Sequence, residues 1–127
     1  MAKIIQMKDS EGLIYPISNV YSTDEKVIGT WMGKTLYGKS IVFPNGTGTT
    51  EYANYLLSDF GVSNVDEIFI GHPTFYTYNE NRYPFPYNDG NAFEVIVNPT
   101  GIIVKLGYAD ISRCRFIVTL EYTKTTD

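Results

Sequence analysis

Cysteine, histidine and tryptophan each occur once, and long apolar runs do not occur at all. With Cys114 as the sole cysteine no intramolecular disulfide can form, and folding in a reducing cytoplasm is the simple inference. With His72 as the sole histidine a metal site of several imidazoles is excluded, and a Cys/His pair needs Cys114 from a distant strand. No stretch approaches the roughly 18 apolar residues of a membrane helix, so a soluble chain without membrane insertion is expected. Residues 1–6 (MAKIIQ) turn polar too soon for the apolar core of a signal peptide. Positive charge is also scarce. Lys+Arg 10 against Asp+Glu 14 gives a net charge of −4, which disfavours a phosphate backbone as partner, so nucleic acid is not expected.

What remains is material for one globular domain, residues 1–127, rich in Tyr, Ile, Val, Thr and Gly. That mixture favours strands and their turns. Residues 3–7 (KIIQM) and 13–17 (LIYPI) read as an N-terminal hairpin, with Pro16 marking an edge. A lone hairpin is marginal in water, so residues 1–20 need something to pack on, such as a neighbouring subunit. Residues 27–32 and 36–43 read as strands. Residues 51–60 (EYANYLLSDF) read as an α-helix, with Thr49 or Thr50 as cap, Glu51 at the positive end and Gly61 at the stop. Residues 66–78 are strand-like but broken at His72-Pro73. Phe93, Val95 and Val97 alternate with polar residues, as do Ile102, Val104 and Leu106. Asn98-Pro99-Thr100-Gly101 joins these two runs with turn chemistry. Phe116, Val118, Leu120 and Tyr122 face one way and Arg115, Thr119 and Glu121 the other, which predicts a half-buried last strand. About eight short strands and one short helix give an antiparallel β-sandwich or barrel.

The densest feature is aromatic. Residues 75–93 hold Phe75, Tyr76, Tyr78, Tyr83, Phe85, Tyr87 and Phe93 but only Glu80, Arg82 and Asp89 as charges. Tyr83, Phe85 and Tyr87 share the period of two that puts side chains on one face, and the prolines between them suit an edge. Such a segment is either a stacking platform for a ligand or packing within the fold or against a neighbour. Burial is what most aromatics do.

The usual carriers of chemistry are weak. Cys114 reads as a buried structural thiol, and His72 as structural or surface. The run 46–50 (GTGTT) lacks the glycine-lysine pair of a phosphate loop. The Asn/Asp/Glu clusters at 79–81 and 88–91 do not match the spacing of a calcium loop, and turns favour the same residues. No carboxylate pair has a motif around it. No catalytic residue, metal or cofactor is expected, and the chain is not expected to be an enzyme.

Several phrases carry a resemblance. Residues 5–12 (IQMKDSEG) followed by Tyr15-Pro16 resemble the N-terminal phrase of small phage and prophage tail proteins. Residues 21–31 (YSTDEKVIGTW), then Gly33-Lys34, Leu36-Tyr37 and Lys39, look like a signature of the same proteins. Residues 61–66 (GVSNVD) and 83–87 (YPFPY) are similar to two further steps, and residues 120–127 (LEYTKTTD) to their C-terminus. The resemblance implies homotrimers with a jelly-roll-like β-sandwich head, to which the short α-helix read at residues 51–60 is added. It implies a tail-fibre or baseplate location in the virion after assembly in the bacterial cytoplasm, other tail or baseplate proteins as partners, and for some members binding of host surface saccharides.

The expected function is therefore a receptor-binding head for a bacterial surface glycan, with a purely structural assembly protein as the alternative. The expected ligand-binding residues are Tyr76, Tyr78, Tyr83, Phe85 and Tyr87 as stacking rings, with Asn79, Arg82 and Asp89 as polar partners. Rings stack on the apolar faces of sugars, and the polar groups reach hydroxyls. Trp31 is expected in a core or an interface.

Overall fold

The computed structural model describes residues 5–8, 14–17, 22–88, 92–107 and 113–126. In chain order the strands are β1 (Ile5–Lys8), β2 (Ile14–Ile17), β3 (Lys26–Trp31), β4 (Lys34–Phe43), β5 (Ala53–Leu56) and β6 (Val65–Ile70). They continue as β7 (Phe75–Tyr78), β8 (Asn81–Pro84), β9 (Tyr87–Asn88), β10 (Ala92–Asn98), β11 (Gly101–Lys105) and β12 (Cys114–Lys124). All of the pairings are antiparallel. β1 and β2 form the expected hairpin, with Gln6 opposite Pro16.

β12 organises the larger sheet. Its one edge takes β4, from Phe116 opposite Phe43 to Tyr122 opposite Tyr37. Its other edge is shared, with β7 along its first half and β6 along its second. β3 extends the sheet beyond β4, and β8 beyond β7. The smaller sheet runs in the order β5-β11-β10-β9. Phe116, Val118, Leu120 and Tyr122 of β12 and Phe93, Ile102 and Val104 of β10 and β11 all have 0% exposure. Each such side chain taken from water stabilises the fold by about 1.5–3 kcal/mol. The rings interlock: Phe43 stacks on Phe116 at 4.4 Å between centroids, and Tyr76 on Phe93 at 4.2 Å. The fold is an all-β sandwich.

Two expectations are corrected. The helix over residues 51–60 is absent; β5 occupies its first part and a single 3-10 turn, Leu57–Phe60, its last. An isolated helix of this length is marginal, whereas the free edge of β11 offers a ladder from Val104 opposite Ala53 to Gly101 opposite Leu56. Extended backbone also sends Tyr55 onto Phe43, with ring centroids 5.1 Å apart. The stop at Gly61 is as expected, with φ of 75°. The last strand is also more than half buried, because Thr119 and Thr123 on its outer face are at 0% exposure.

Thr119 fills the break between β6 and β7. The Gly71 N–H donates to its carbonyl at 2.7 Å, and its own N–H donates to Thr74 Oγ1 at 3.0 Å. Its hydroxyl meets Ser40 Oγ at 2.8 Å. The gap at His72-Pro73 thus leaves the β12 backbone satisfied, as burial demands. The β10–β11 hairpin closes as expected with Asn98 opposite Gly101, and Asn98 Oδ1 accepts from the N–H groups of Thr100 and Gly101 at 2.9 Å each.

Candidate functional site

The period of two in the aromatic segment is real, and its face is the inner one. Tyr76 lies between Tyr83, at 5.0 Å, and Phe93, at 4.2 Å, with both ring pairs nearly parallel. At 0% exposure Tyr76 has no ring face open to a ligand, so its expected stacking role is corrected to core packing. Tyr78, Tyr83 and Phe85 pack half-buried against the same core, and Phe85 also meets Tyr76 at 5.3 Å. Tyr87 belongs to β9, its ring lying outside the described residues, as does Asp89. The physical reason is the ladder: Tyr76 pairs with Tyr83 and with Phe116, and paired residues share a face.

The residues between them face outward. Thr77 of β7 is paired on one side with Arg115 of β12 and on the other with Arg82 of β8. Strand spacing of about 4.8 Å puts the two arginine backbones roughly 10 Å apart with Thr77 between them. This row forms part of the wall of a cavity of about 610 Å³, closed by Asn79 and Glu80 from the β7–β8 turn, Asn45 after β4 and Arg113 before β12. Thr77 Oγ1 is buried and has no hydrogen-bond partner among the described residues. The Arg82 guanidinium is held over the Phe75 ring, 4.9 Å from its centroid. The turn itself is unusual, with Asn79 at φ 48° and Glu80 at φ 68°. Two residues of positive φ are what a tight primed hairpin turn requires; Asn tolerates this, while Glu is strained there.

Comparison with protein-family models, curated proteins and solved structures finds no match. Chemistry and geometry therefore carry the functional reading. Among the described residues the cavity offers guanidinium and amide donors, amide acceptors and one carboxylate. No histidine or cysteine lines it. Cys114, next to Arg113 and Arg115 in sequence, points the other way into the core. Burial pushes its thiol up to about 11, so it is neutral and unreactive at physiological pH. Among the described residues no three His, Cys, Asp or Glu side chains group as metal ligands would, and no helix is long and apolar enough to cross a membrane.

Of the expected ligand-binding residues, Asn79 and Arg82 line the cavity. Asn45, Thr77, Glu80, Arg113 and Arg115 escaped the sequence reading. A signal was present in Arg113 and Arg115, which flank Cys114 at i and i+2. Alternation puts them on the face opposite a buried cysteine.

Trp31 is neither core nor free. It is 42% exposed on the outer face of the larger sheet, edge-on to Phe69 at 4.9 Å, and its indole N–H donates to Glu67 Oε2. Lys34 beside it pairs with Asp66 at 2.7 Å.

Proposed function

We propose that the chain is a phage or prophage virion tail-tip protein whose β-sandwich is a receptor-binding head for a bacterial surface saccharide, without catalysis of its own. The observation that carries this reading is the outward cavity, where guanidinium, amide and hydroxyl groups converge on a volume suited to one or two sugar rings. Saccharide hydroxyls need donors and acceptors together, and Asn45 and Asn79 supply both. The resemblance of the outer sequence phrases to tail proteins supplies the virion setting and the homotrimer, with residues 1–20 packing on neighbouring subunits and other tail or baseplate proteins as partners. Three weak sites on one trimer hold a cell surface through effective concentration.

The structural alternative, a tail-fibre or baseplate assembly part, is favoured by a separate observation. Val27 and Met32 are 65% and 85% exposed at the edge strand β3 and the turn after it. An exposed apolar edge suits contact with another protein. The two readings use opposite edges of the larger sheet, β3 against β7 and β8, and are separable.

Retention of purified bacterial surface polysaccharides on beads displaying many copies of the protein tests the binding reading. Saturable retention, weakened by Asn79→Ala, is expected; a folded protein that retains none of them contradicts it. Light scattering at several concentrations tests assembly. The expected mass is about three times 14.4 kDa, and a monomer throughout contradicts the trimer.

A further inference from the structure

Arg82, Arg113 and Arg115 are all the arginines of this acidic chain, and all of them line the same cavity; none of the described lysines does. Gathering like charges costs free energy unless something negative is met there. Residues that merely solvate a surface have no need of the arginine fork. That fork matters where planar, paired hydrogen bonds to a carboxylate or a phosphate are made.

The fold places these groups on rigid backbone. Arg115 and Arg82 share the register row through Thr77, so both side chains leave the same sheet face from neighbouring ladders. The ring of Phe75 steadies Arg82 from one side. Between the two arginines lies Thr77, whose hydroxyl has no partner among the described residues. Glu80 is the one carboxylate among the described residues of the lining, carried on a strained turn position. It balances part of the positive charge and sets an opposing charge at the rim, which an incoming anion must outcompete.

We infer that the cavity seats an acidic group of the saccharide, a carboxylate or a phosphate, between Arg115 and Arg82 above Thr77, with Arg113 beside it. The ligand class is thus an acidic polysaccharide: one bearing uronic acids, or one linked through phosphodiesters. The inference deepens the saccharide-binding reading and rests on it for the polymer, while the anion itself can be tested alone.

The test uses the full chain, a single-stranded oligonucleotide for comparison, and five probes. These are a neutral glucan, a glucuronic acid polymer, a glycerol phosphate polymer, and glucuronate and glycerol phosphate as small competitors. One acidic polymer is expected to bind and its own small acid to compete, which also separates carboxylate from phosphate. Arg115→Lys keeps the charge and the apolar stem but loses the fork, and is expected to weaken binding about tenfold or more. Lys26→Ala removes an equal charge from β3 and is expected to leave binding within about twofold, since surface charge at a distance is screened. Binding weakened by Lys26→Ala but unchanged in Arg115→Lys would mean unspecific charge attraction and overturn the inference. Binding of the glucan alone, unchanged in Arg115→Lys, overturns the acidic group but leaves saccharide binding standing. Binding of neither acidic polymer nor small acid overturns the inference outright. Tighter binding of a single-stranded oligonucleotide than of either acidic polymer overturns the ligand class.

Discussion

The indole N–H of Trp31 donates to Glu67 Oε2 at 2.6 Å, tying edge strand β3 to β6 across the intervening β4 and β12. The bridge passes over the outer face of β12 where Thr123 is wholly buried, and the Glu67 N–H in turn donates to Thr123 Oγ1 at 3.2 Å. Trp31→Phe keeps a ring against Phe69 and deletes the donor. Because both partners are exposed, the loss is expected to be about 0.5–1 kcal/mol in urea unfolding. No loss at all would show that the bridge is dispensable.

A second network, at the inner-face end of β12, bears on the acid limit of stability. Burial pushes the Glu25 carboxyl up, but hydrogen bonds from Tyr122 and Lys124, with the Lys124 charge, together outweigh it and hold the pKa below 4.5. A depressed folded pKa contributes stability above the unfolded value and loses it as pH falls through the folded one. Stability is therefore expected to decline from about pH 4.5 downward, and Glu25→Gln to flatten that limb. An unchanged acid limb in the variant contradicts the assignment.

The basic limit has another origin. Burial raises Cys114 from 9.0 to about 11, and raises Tyr122 above 10.0 with help from the Glu25 hydrogen bond. Raised folded values contribute stability that is complete below the unfolded pKa and is lost as pH rises towards the folded one. Unfolding free energy is expected to fall between pH 9 and 11, and Cys114→Ala to remove part of the slope while costing some core packing. A slope identical in the variant contradicts the thiol's share.

The β7–β8 turn offers an experiment with two independent readouts. Glu80 holds φ of 68°, which glycine adopts without strain. Glu80→Gly is expected to stabilise the fold by about 0.5–1 kcal/mol. The same change removes the Glu80 carboxylate from the cavity lining and is expected to tighten binding of an acidic ligand. Greater stability with weaker binding would mean that Glu80 contacts the ligand as an acceptor.

Strand β5 depends on Gly101. A Cβ there would lie 2.8 Å from the Tyr55 carbonyl oxygen. Gly101→Ala is expected to cost about 1–3 kcal/mol by forcing β5 away from β11. Amide exchange would then accelerate in residues 53–56 before it does in β12.

Local chemistry made the strands legible. Alternation located β10, β11 and β12, and Asn98 with Gly101 marked their tight connection. The segment 51–60 misled because Tyr52, Leu56 and Phe60 satisfy a helical period while residues 53–56 can equally pair with the free edge of β11. Which wins is settled by β11, far along the chain. The aromatic segment misled in sense rather than in period: sequence shows that Tyr83 and Phe85 share a face, not which face looks inward. The cavity was hidden for a related reason. Arg82 and Arg115 meet only through the β12–β7–β8 ladder, and no local pattern encodes that pairing.

Because the three arginines all line the cavity, protein labelled with 15N at arginine carries three side-chain Nε–H signals, each one a reporter of this site. Titration with glucuronic acid oligosaccharide, and separately with glycerol phosphate oligomer, is the most direct measurement. The account predicts that one of them shifts all three signals along a single saturating curve, while the lysine signals of a separate 15N-lysine sample stay in place. Arginine signals that remain still with both, or that move only in step with the lysines, would contradict an acidic-ligand site.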